Sequence, residues 1–103
     1  MTMNVEIDSA RLARMLDEAQ TELQRAADGS PLCKVSMTGT TGQSVKYFEG
    51  RWAALREVQR GADPHAAFET WRRDYLRHEH RDSGDAWRHY AAGGVDALFE
   101  LLN

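Results

Sequence analysis

The stretch WRRDYLRHEHRDSGDAWRHY, residues 71–90, holds three of the chain's four histidines, with four acids and five arginines. Imidazole and carboxylate groups at that density are the raw material of a metal site or of acid–base catalysis. Spacing decides what they can do. His78 and His80 are two residues apart, which places them about 200° apart on a helix. One regular helix cannot aim both at the same ion, and HEH is not the HExxH pattern whose i, i+4 histidines share a side. His78 with Asp82 and Asp85 with His89 do have that spacing, but on opposite arms of a hairpin. The same residues also form a solvated face: Glu69–Arg73 and Asp74–Arg77 are spaced for ion pairs, each contributing a few tenths of a kcal/mol. That second reading needs no ligand, so no metal, cofactor or catalytic residue is expected here.

Arg73, Arg77 and Arg81 repeat every four residues. Like charges on one stripe repel unless acids flank them or a partner supplies acids. Arginine and aromatic residues are also the types enriched in protein interfaces. The stripe is therefore a candidate rim for a protein contact.

Elsewhere the chemistry is sparse. TGTTGQS, residues 38–44, lacks the lysine and the spacing of a phosphate loop. Cys33 is the only cysteine, which excludes an intramolecular disulfide and fits a reducing cytoplasm. No serine lies in a nucleophile-elbow pattern. The reading is a non-enzyme.

The elements that carry these residues are helical. Leu12, Met15, Leu16, Ala19 and Leu23 recur at helical spacing, with Asp8 as cap and Ile7 and Leu12 placed for a hydrophobic staple. This predicts a helix over residues 9–27, closed by Gly29 and Pro31. Val45, Phe48, Trp52 and Leu55 predict a second helix over 44–60. Gly50 costs it about 1 kcal/mol, and burial of Phe48 and Trp52 outweighs that at roughly 1.5–3 kcal/mol each. The competing arrangement is a small hairpin near residues 33–48, with Ser44–Phe48 as its return strand. Gly61 and Asp63-Pro64 mark the boundary to a third helix over 64–81, with Phe68, Trp71 and Tyr75 inward and Leu76 beside them. A further helix follows the turn at residues 82–84, with Trp87, Tyr90 and Ala91 inward. Gly93-Gly94 is expected to interrupt it before Val95–Leu102 resumes. The fold class is mainly α, a single-domain bundle of four or five helices across residues 1–103.

The segment VDALFELLN is apolar nearly all round. Val95, Leu98, Phe99 and Leu102 share one face, and Ala97 and Leu101 another. Such a helix either inserts into the core or pairs with a second chain. The second option makes Val95, Leu98, Phe99 and Leu102 a candidate homodimer patch, with Trp52 or Trp87 as further anchors.

At 103 residues, 42% hydrophobic and 28% charged, the chain has the composition of a folded domain. Its net charge is −3, and neither half is basic: 5 basic and 7 acidic side chains in residues 1–50, 8 and 9 in the rest. That balance argues against nucleic acid, although a DNA-binding regulator built on residues 64–92 is an alternative. MTMNVEIDSARL has no basic segment before a long apolar run, and no window reaches 18 apolar residues, so neither export nor membrane insertion is expected. Arginine outnumbers lysine 11 to 2, which points to a GC-rich bacterial or phage source.

KVSMTGTTGQSVKYFEGRWAALREV, a quarter of the chain, is similar to the hairpin-then-helix of small phage head–tail joining proteins. This implies an assembly subunit as one alternative. In general character, being short, acidic, helical and rich in apolar surface, the chain resembles small bacterial quorum-sensing antiactivators of the QslA type. That resemblance implies a protein that binds a transcription factor and blocks its dimerisation, which with the apolar patch gives a homodimeric inhibitor that covers a partner's interaction surface.

Overall fold

A computed structural model of the chain describes residues 8–27, 45–79 and 85–103. They form four α-helices: α1, Ser9–Ala27; α2, Val45–Gln59; α3, Pro64–Glu79; α4, Asp85–Leu102. The fold is mainly α, and no strand occurs among the described residues. Residues 45–48 open α2, so they cannot be the return strand of a hairpin. Residues 33–44 lie outside the described part.

Three boundaries have a local cause. The Asp8 carboxylate accepts the Ala10 N–H at 3.0 Å and starts α1. Asp63 does the same for α3 through the Ala66 N–H at 2.8 Å, and Pro64 follows at the first helical position, where no N–H is needed. Gly61 ends α2 at φ 110°. The Gly61 N–H reaches the Val58 carbonyl and the Ala62 N–H the Glu57 carbonyl, each at 3.0 Å. These are the two bonds of a Schellman cap, which requires the left-handed residue glycine supplies.

α4 is the centre of the molecule. It packs on α2 and α3, while α1 packs on α2. Every residue from Ala91 to Leu98 is buried. The helix runs unbroken through Gly93-Gly94, where an interruption is expected from propensity. Packing supplies the reason. A Cβ on Gly93 would overlap the Tyr47 carbonyl oxygen, and one on Gly50 would overlap the Tyr90 carbonyl oxygen. A Cβ on Gly94 would enter the Trp71 indole. The glycines let α2 and α4 cross backbone to backbone and let the Trp71 indole pack directly against the α4 backbone. Burial of Tyr47, Phe48, Leu55 and Leu98 around that crossing outweighs the lost helix propensity.

Candidate protein-interaction surface

Three aromatic rings meet where α2, α3 and α4 converge. Trp71 comes from α3, and Trp87 and Tyr90 from the first two turns of α4. The Trp71 and Tyr90 ring centroids are 5.3 Å apart, and Trp87 meets Tyr90 edge-on at 5.9 Å. Both distances fall in the favourable range for aromatic pairs. Glu57, Thr70, Asp74 and Ala91 complete the lining of a notch of about 330 Å³. Trp71 is buried, whereas Trp87 is 55% exposed and stands at the mouth. The Tyr90 phenol is pushed above its ordinary value by burial first, then by the Glu57 and Glu49 carboxylates. The Lys46 ammonium lies 5.8 Å from the Trp87 ring centroid and 3.3 Å from Glu49.

Arg73 and Arg77 are exposed on α3. With Thr70 and Asp74 they occupy positions three and four residues apart, hence one flank of the helix. Among the described residues no ion pair joins Glu69 to Arg73 or Asp74 to Arg77, so the local pairing expected from spacing is open. Arg81 lies outside the described residues.

The C-terminal patch divides. Val95 and Leu98 are 2% and 0% exposed within the single chain, so they are core residues and present nothing to a partner. Phe99 is 42% exposed and Leu102 half-buried. Inward docking uses the Val95–Leu98 side of α4, which leaves Phe99 as the apolar residue directed outward. Trp52 is half-buried against the main core, with the Arg56 guanidinium 5.4 Å from its ring. Val45, expected inward, is 36% exposed at the start of α2.

Of the proposed metal cluster, His89 is half-buried on α4. Asp82 and the side chains of His78 and Asp85 lie outside the described part, as do His80, Cys33 and residues 38–44. Among the described residues no group of three His, Cys, Asp or Glu side chains could hold an ion.

A second polar feature lies inside the α2–α4 contact. The Tyr47 hydroxyl, on a fully buried ring, donates to the Asp96 carboxylate, itself 3% exposed. One turn further along both helices, Arg51 pairs with Glu100. Arg11 of α1 donates to the Glu100 and Leu101 carbonyls at 2.6 and 3.4 Å, covering the negative end of α4. Burial pushes the Tyr47 phenol well up, and the hydrogen bond to Asp96 and its charge add to the shift. For Arg51, burial acts downward and is the largest single influence, and the Glu100 carboxylate together with Tyr47 and Glu22 outweighs it, so the guanidinium is raised. Arg51 is matched by Glu100, although its Nε is buried without a hydrogen-bond partner, and the arrangement fixes the α2–α4 register. The sequence carries one trace of it: Tyr47/Arg51 and Asp96/Glu100 are both i, i+4 pairs.

Comparisons with known protein families, with curated proteins and with solved structures find no match. No described helix is long and apolar enough to cross a membrane.

Proposed function

We propose that the chain is a small non-enzymatic regulator that binds another protein and covers an interaction surface on it. The observation that carries this reading is Trp87. A tryptophan 55% exposed, at the mouth of a notch walled by Trp71 and Tyr90, is an anchor of the kind that dominates binding energy in protein contacts. Arg73 and Arg77 on the adjoining flank supply the polar rim. The similarity in character to quorum-sensing antiactivators favours a transcription factor as the partner. In the homodimer that belongs to this proposal, Phe99 with Leu102 is the contact.

The test is capture from the soluble lysate of the source organism with the tagged full chain and with its Trp87→Ala variant. One protein held in near-stoichiometric amount by the parent and lost by the variant supports the reading. Recovery of the bait alone, or a partner retained equally by both, rejects it.

A further inference from the structure

We infer that the Trp71–Trp87–Tyr90 notch receives an arginine side chain of the partner protein, a deepening that rests on the protein-binding reading above. The walls and rim define the occupant's charge. Aromatic faces attract cations through the ring quadrupole. Two carboxylates from different helices, Glu57 and Asp74, line the same space. Neither is joined to a cation among the described residues. Trp87 already accepts one cation, the chain's own Lys46, at 5.8 Å.

Shape and surroundings narrow it further. At about 330 Å³ the notch lies at the small end of ligand pockets, which run from roughly 300 to 1,000 Å³. It suits one long side chain rather than a nucleotide. A guanidinium is planar, weakly hydrated and able to stack on a ring while bonding carboxylates, which an ammonium does less well. Arg73 and Arg77 on the same flank repel a bare cation and favour one that carries acids beside it. The matching occupant is an arginine between acidic residues.

The probe is an acetylated, amidated tripeptide of acid, arginine and acid. Its control is the same peptide with citrulline, which keeps the shape and lacks the charge. A third ligand is tetramethylammonium. Binding to the full chain is read from the indole N–H signals of Trp71 and Trp87 by NMR. The expected result is saturable shifts with the arginine peptide and at least tenfold weaker binding of the citrulline peptide. A comparable loss is expected in the Glu57→Gln/Asp74→Asn double variant, which alters only solvent-accessible groups. Equal binding of both peptides, no shift of either indole, or tighter binding of tetramethylammonium overturns the assignment. In the lysate experiment, a partner lost by Trp87→Ala but kept by the double variant leaves the protein-binding reading standing and removes the arginine.

Discussion

Tyr47→Phe removes one oxygen from the centre of the molecule, and the structure gives its effect a size. The ring is fully buried and its hydroxyl donates to a carboxylate that is almost as deeply buried. Phenylalanine keeps the ring packing, so no cavity larger than the hydroxyl opens. What is lost is a hydrogen bond to a charged group in a site with little water, worth about 1.5–3 kcal/mol. Domains of this size have roughly 5–15 kcal/mol in total. The variant should therefore fold, with an unfolding midpoint lower by roughly 10 °C. Urea unfolding followed by circular dichroism at neutral pH measures the loss directly. The dependence on pH gives a second readout. The phenol is raised in the folded state above its ordinary value of about 10. Its contribution is complete below that pH and is lost as pH rises toward the folded value. The gap between parent and variant should thus be constant from pH 7 to about 10 and narrow beyond. A loss under about 0.5 kcal/mol, against the range for charged hydrogen bonds, or a gap that widens with alkali, would refute the reasoning.

Gly93→Ala places a methyl group against the Tyr47 carbonyl oxygen, where only backbone motion can make room. The expected loss is at the top of the overpacking range, about 3 kcal/mol or more, and an unchanged urea midpoint would contradict the close crossing. Gly61→Ala meets no neighbour within 4 Å, so its effect is conformational alone; about 1–2 kcal/mol is expected from left-handed strain, and a stabilised variant would contradict the cap. Phe99→Asp should leave the helical content intact and convert the proposed homodimer to a monomer by light scattering, whereas an unchanged mass rejects that contact. Leu98→Asp, by contrast, should unfold the chain, since it places a charge in the core.

The start of α1, the end of α2 and the start of α3 were legible because their causes are local; the closure of α1 expected at Gly29 and Pro31 lies outside the described residues. Asp8, Gly61 and Asp63-Pro64 act within a few residues of themselves, and no tertiary partner alters them. The middle of α4 was not legible, because propensity treats Gly93-Gly94 as a break and only the backbone of α2 explains why small residues are needed there. The same limit applies to Val95 and Leu98. Periodicity identifies an apolar face but does not say whether the covering surface belongs to the same chain or another. Trp71 and Tyr90 read as core residues, and Trp87 as core or anchor. The notch they make also needs Glu57, which arrives from α2. Asp96 stands within an apolar run and could have been flagged as needing a buried donor, but Tyr47 lies 49 residues away.

The central position of α4 has a consequence for the order in which the fold is acquired. Contacts that complete the core join Tyr47 to Asp96 and Arg11 to Glu100, across 49 and 89 residues. Two adjacent glycines make α4 a poor helix in isolation. Before α4 is made, Arg51 and the Tyr47 hydroxyl lack the partners that α4 supplies, Glu100 and Asp96. Until α4 emerges and docks, the apolar faces that will surround it are open to chaperones and to other nascent chains. Contacts this distant in sequence close slowly, so substitutions at the glycine crossing should retard folding as well as weaken its product.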